Sequence, residues 1–115
     1  MSNLKTVQTS DLGPGVTSHH PAERLIEGNP VLRSWKQDEH GTINTGVWMS
    51  EPGLSVSIKG PRYEFCYILE GLVEITEDGQ QPLRYTAGDS FVMKPGFVGT
   101  WRTIETVKKI YVVVD

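Results

Sequence analysis

Leu54-Ser55-Val56-Ser57-Ile58-Lys59 alternates apolar and polar residues at every position, the period of a β-strand with one buried face. Gly60-Pro61 ends it, and Tyr63-Glu64-Phe65-Cys66-Tyr67-Ile68-Leu69 follows, dense in aromatic and branched residues. This second run predicts another strand, continued beyond Gly71 by a third, Leu72-Val73-Glu74-Ile75. Downstream, Asp78-Gly79 supplies residues that tolerate positive φ in a tight hairpin, with Pro82-Leu83-Arg84-Tyr85 as the return strand. Further runs are Ser90-Phe91-Val92-Met93, Val98 to Thr103 and Lys109 to Val114, separated by Lys94-Pro95-Gly96 and Ile104-Glu105-Thr106. Upstream, Val31 to Trp35 and Thr45 to Met49 read as strands around a polar turn, Gln37-Asp38-Glu39-His40-Gly41.

Short strands recurring every 8 to 12 residues or so predict an all-β sandwich or barrel. The first 28 residues differ, since Gly13-Pro14-Gly15 and Ser18-His19-His20-Pro21 interrupt any periodicity. They predict an N-terminal arm (1–28) ahead of a barrel domain (29–115), with one short helical turn near Ala22 to Ile26, closed by Gly28 and Pro30.

A chain of 115 residues suits one domain, and 37% apolar with 22% charged residues provides for both a core and a solvated surface. No apolar run approaches the roughly 20 residues of a membrane-crossing helix. Met1-Ser2-Asn3-Leu4-Lys5 lacks the basic start and apolar stretch of a secretory signal, so a cytoplasmic location is expected. Eleven Lys and Arg in a chain of net charge -3 give no basic stripe, which argues against nucleic acid as a partner. The single cysteine, Cys66, lies within an apolar strand and reads as a small buried hydrophobe.

Glu64 is followed by Gly71 in Glu64-Phe65-Cys66-Tyr67-Ile68-Leu69-Glu70-Gly71, which resembles the closing half of the first cupin motif. Gly88-Asp89 followed by Pro95-Gly96 resembles the second. With Gly46-Val47-Trp48, Pro52-Gly53 and Gly99-Thr100-Trp101, the chain over residues 28–114 is similar to single-domain cupins related to ureidoglycine aminohydrolase, a group catalogued as a domain of unknown function (DUF861). The resemblance implies a double-stranded β-helix, a jelly-roll-like barrel whose open end forms a pocket. It also implies a homodimer, which the need to cover apolar edge strands such as Ile110 to Val114 would favour.

Metal-bearing cupins place two His, a Glu and a final His on the inner wall, since a divalent ion needs several converging N or O donors. In this chain the upstream His positions fall on Ile58 and Gly60, or on Ser57 and Lys59, and the last falls on Gly99. Of that set only Glu64 remains, so no metal or other cofactor is expected to be held tightly. His19, His20 and His40 lie in the arm and a turn, where they read as solvated.

Strand alternation sends Arg62, Cys66 and Ile68 to the face of Glu64, and Tyr63, Phe65 and Tyr67 to the other. Glu64 is the candidate catalytic acid/base, with burial raising its pKa toward neutrality. Arg62 is expected to meet it, or a ligand, at the rim. Lys94, before Pro95-Gly96, is a candidate for the pocket lip, facing a carboxylate or phosphate. Trp101, beside the space left by a missing side chain at Gly99, with Trp48 and Tyr67, completes the candidate ligand-binding set. The function expected is the binding, or the conversion, of a small ureido, amino or carboxylate metabolite. A non-catalytic sensing or partner-binding module, and a metal enzyme with non-standard ligands, remain open alternatives.

Overall fold

In the computed structural model, which describes residues 2–115, the alternation of residues 54–59 is a strand, but its buried face carries the serines. Ser55 is 4% exposed while Ile58 is 46% exposed. All regular secondary structure among the described residues is β: β1 (Val16–Ser18), β2 (Leu25–Glu27), β3 (Leu32–His40), β4 (Ile43–Ser50), β5 (Gly53–Ile58), β6 (Tyr63–Glu77), β7 (Leu83–Thr86), β8 (Ser90–Met93) and β9 (Val98–Val114). Every pairing is antiparallel.

Two long strands organise the barrel. The first half of β9 pairs with β5 and with the second half of β6, whereas its second half pairs with β4 and the first half of β6. Two layers result, β1-β3-β4-β9-β6-β8 and β2-β5-β9-β6-β7, with β6 and β9 bending from one into the other. The bend is written in register shifts between Ile68 and Val73. Gly71 sits within them at φ 97, where an added Cβ would run into the carbonyl of Thr106. The breaks expected at Gly71 and at Ile104 to Thr106 are therefore bends in continuous strands. The same geometry corrects the reason given for self-association, because Ile110 to Val114 is flanked on both sides by β4 and β6 and is not an edge.

Cys66, Ile68 and Met93 from one layer meet Val73, Ile75 and Trp101 from the other in the core. A fully buried side chain such as Ile68 contributes roughly 1.5–3 kcal/mol of transfer free energy. The jelly-roll architecture expected from the cupin resemblance is thus present. The polar turn expected from Gln37 to Gly41 is shorter than read: β3 runs on to His40 through a bulge between Lys36 and Asp38, and Gly41 turns at φ 58.

The arm follows the barrel closely. Trp35 Nε1 donates to the Gly13 carbonyl (3.1 Å), Arg33 Nη1 to that of Pro14 (3.0 Å), and Lys108 Nζ to that of Thr9. Arg33 and Trp35 alternate with Ser34 and Lys36, which line the interior, so this segment runs over the outside of β3, where Val47 opposite Trp35 is fully buried. After β1 on the edge of one layer, the chain crosses to β2 on the edge of the other. The helical turn expected near Ala22 is a single hydrogen-bonded turn, Arg24 N to Pro21 O at 2.9 Å, and Leu25 already belongs to β2.

Candidate functional site

Between the layers, on the side of β3, β4 and β5, lies a cavity of about 390 Å³. β5 turns Ser55 and Ser57 into it, β3 Ser34 and Lys36, β4 Asn44 and Trp48, and β9 Trp101, Lys109, Tyr111 and Val113. Gly46, on the inner side of β4, permits this arrangement, because a Cβ there would stand 2.6 Å from the Tyr111 hydroxyl.

Glu64, 6% exposed, reaches the cavity from β6. Its Oε1 accepts a hydrogen bond from Lys59 Nζ at 2.6 Å, just beyond β5, and its Oε2 one from Lys109 Nζ at 2.8 Å on β9. The Lys109 ammonium also lies 4.5 Å from the ring centre of Trp48 and 4.4 Å from that of Trp101. Those rings meet edge to face, 5.5 Å apart. Such contacts with desolvated rings favour the cation by about 2 kcal/mol.

This surrounding reverses the proton chemistry expected from sequence. Burial acts to raise the Glu64 pKa, but the Lys109 and Lys59 ammoniums outweigh it and hold the carboxyl well below its ordinary 4.5. Glu64 is therefore a carboxylate at neutral pH and has no proton to donate. Burial likewise opposes the charge on Lys109, yet the Cys66 sulfur and the Glu64 carboxylate hold its pKa above the usual lysine value. Cys66 Sγ sits 3.4 Å from both Glu64 Oε2 and Lys109 Nζ. Its thiol is pushed up to about 12, chiefly by burial and then by Glu64 against the opposing pull of Lys109, so it stays protonated and unreactive.

Glu64, Arg62, Trp48 and Trp101 are brought together in the cavity, whereas Tyr67 and Lys94 are not among its lining. Tyr67 projects from the opposite face of β6, as alternation from Glu64 requires. Lys94 is exposed in the turn whose carbonyl accepts from Phe97 N. Arg62 lines the rim but pairs with Asp115, at 2.6 and 2.9 Å, and not with Glu64. The space expected at Gly99 is closed, because an added Cβ would collide with the carbonyl of Thr76.

Lys59, read only as a position where a ligand His is missing, and Lys109, not singled out at all, are the partners of Glu64. Lys109 had a signal, since it interrupts the inward-facing series Val107, Tyr111, Val113, and a lysine inside an apolar face needs a partner. His20 also reaches the cavity, against its reading as solvated. Its pKa is lowered, first by burial and then by His19.

The metal site implied by the fold does not suit these donors. Among the described residues no three His, Cys, Asp or Glu converge, and both oxygens of Glu64 are engaged by ammoniums. A divalent ion would have to displace a built-in cation from Glu64, the only carboxylate lining the cavity among the described residues.

Residues 37–111 match the model of a EutQ-like cupin domain. Among solved structures, the chain is similar to a DUF861-family protein of unknown function from Pseudomonas syringae, with TM-score 0.76 and 24% identity over 87% of this chain and 45% of that one. It therefore spans less than half of that protein's length. A protein of unknown function from Rhizobium leguminosarum superposes with TM-score 0.72 at 16% identity, covering 98% of each chain. The EutQ protein of Clostridium difficile gives TM-score 0.66 at 17% identity, over 84% of this chain and 79% of that one. Comparison with curated proteins gives no match.

Proposed function

The chain belongs to the EutQ-like cupin family, and on that footing we propose that it binds a small organic anion, a carboxylate, in the cavity beside Glu64. One observation carries this reading: two ammoniums, Lys109 buried and Lys59 partly buried, share a single buried carboxylate. One positive charge is left over, and the nearby cations do not change the balance, since Arg62 is matched by Asp115 and Lys36 by Glu39. Uncompensated buried charge costs several kcal/mol, and an incoming carboxylate offsets that cost. Glu64 in this reading is the group that orients Lys59 and Lys109, and the chemistry is recognition without a resident metal.

The resemblance to ureidoglycine-related cupins makes ureido acids one class of anion to try, and binding calorimetry against small carboxylates and their primary amides tests the reading. The carboxylate of each pair should bind at least about tenfold more tightly, a difference of about 1.4 kcal/mol. Lys109→Met and Lys59→Met should each remove most of that preference. Amides binding as well as acids, or a preference that survives both substitutions, would overturn the proposal.

A further inference from the structure

We infer that the anion is a polyhydroxylated monocarboxylate, an acid of the sugar-acid class; this rests on the anion reading above. The cavity holds far more neutral hydrogen-bonding capacity than surplus charge. Ser55 is 4% exposed, yet its hydroxyl bonds to no other described residue. No side-chain N or O sealed from solvent lacks a partner among the described residues, so this hydroxyl opens onto the cavity. Ser34, Asn44, Ser57 and Tyr111 line the same space, and none of their side chains has a hydrogen-bond partner among the described residues. Ser55 is buried and the other four are partly buried, so their free hydrogen-bonding capacity is turned toward whatever fills the cavity, a ligand or water.

The strand pattern points the same way. β5 turns Ser55 and Ser57 inward and leaves Ile58 half exposed, an inversion that costs apolar burial and makes sense where the interior space is to hold something polar. Hydroxyls both donate and accept, as serine, tyrosine and asparagine side chains require of a partner.

Competing classes fit less well. A plain short-chain acid would leave the serines to water, and a dianion brings a second charge for which the buried groups have no surplus. An amino acid would seek a carboxylate, and both oxygens of Glu64 are engaged. A volume of about 390 Å³ lies at the small end of ligand pockets, roughly 300–1,000 Å³.

Calorimetry with propionate, glycerate, gluconate, glucarate, ureidoacetate and glucose tests the inference on the parent, Ser55→Ala and Ser57→Ala proteins. Affinity should rise from propionate through glycerate to gluconate, with glucarate, ureidoacetate and glucose all weaker than gluconate. Each serine substitution should weaken gluconate by roughly three- to tenfold and leave propionate unchanged, the scale of one neutral hydrogen bond. If propionate or ureidoacetate binds as tightly as gluconate, or the substitutions weaken all acids equally, this inference falls while the anion reading stands. If glucose binds as tightly as gluconate, or no acid binds, the anion reading falls with it.

Discussion

A cavity of about 390 Å³ opens beside β3 to β5, and another of nearly equal size, about 370 Å³, beneath β7 and β8. The first is walled by Lys59, Glu64, Lys109 and unpartnered hydroxyls, and the second by Ile75, Leu83, Tyr85, Phe91, Met93 and Phe97. In the second, Tyr85 stacks on Phe91 at 4.2 Å, and its polar groups sit on Glu77, Gln80 and Gln81, all exposed. The core borders both, with Trp101 lining the first and Ile75, Met93 and Phe97 lining the second. Size therefore says little about function here. What differs is that one space contains charge that the protein itself does not balance, and such charge is costly to keep without a use.

The largest expected effect is at Glu64. A buried carboxylate without a partner would make Glu64→Gln neutral or slightly stabilising. With two ammoniums resting on it, the exchange should instead cost about 3–5 kcal/mol, because both cations lose their counter-charge in a buried site. Urea unfolding of parent and variant at pH 7 measures this, and a loss below about 1 kcal/mol would make the charged cavity no different in kind from the apolar one.

Gly99 lies at the boundary between the cavities, paired with Ser57 on one side and Glu77 on the other. A Cβ there meets backbone, the Thr76 carbonyl and the Glu77 Cα. Gly99→Ala should destabilise by about 1–3 kcal/mol, as overpacking does, and thermal unfolding reads it. An unchanged midpoint would mean that the layers can part at this point and that the two spaces are not held separate.

Acid should act on the charged cavity through Glu64. The folded pKa of Glu64 lies below its ordinary 4.5, so below that pH the unfolded chain takes up a proton that the folded chain refuses. The contribution is complete above about pH 4.5 and shrinks as pH falls toward the folded value. Between pH 5 and 3 the parent should lose roughly 1–2 kcal/mol from this group. Lys109→Met, with one ammonium fewer, should lose less over the same range, and equal losses in parent and variant would contradict the pairing. The smallest effect is expected in the other cavity. Leu83→Ala, at an exposed position on β7, should change stability by no more than about 0.5 kcal/mol and leave carboxylate affinity as it was.

The strand periods along 54–59 and 63–69 were legible because alternation is local, and they correctly put Glu64, Cys66 and Ile68 on one face. Which face of β5 is buried was not legible, since apolar residues face inward only where the interior is apolar. The continuity of β6 and β9 was hidden for a related reason: a glycine at positive φ and a polar Glu105-Thr106 read as breaks when they mark a bend between layers. At the site, Glu64, Trp48 and Trp101 could be named from motif spacing. Spacing also put Lys59 at one of the two alternative upstream ligand positions, five residues from Glu64, but Lys109 is 45 residues from Glu64 along the chain, and only the pairing of β9 with β6 unites them. Arg62 was assigned to the nearest carboxylate in sequence and is held by the C-terminal Asp115.

On the proposed function, Glu64 stays ionised between Lys59 and Lys109, and one positive charge is left to be met by a ligand. Following the Glu64 side-chain carboxyl carbon by ¹³C NMR as the pH is lowered from 8 to 3 tests this most directly. The expected result is a carboxylate shift that does not titrate anywhere in that range while the fold persists. A midpoint at or above 4.5 would show that the two ammoniums do not hold the charge, and would contradict it.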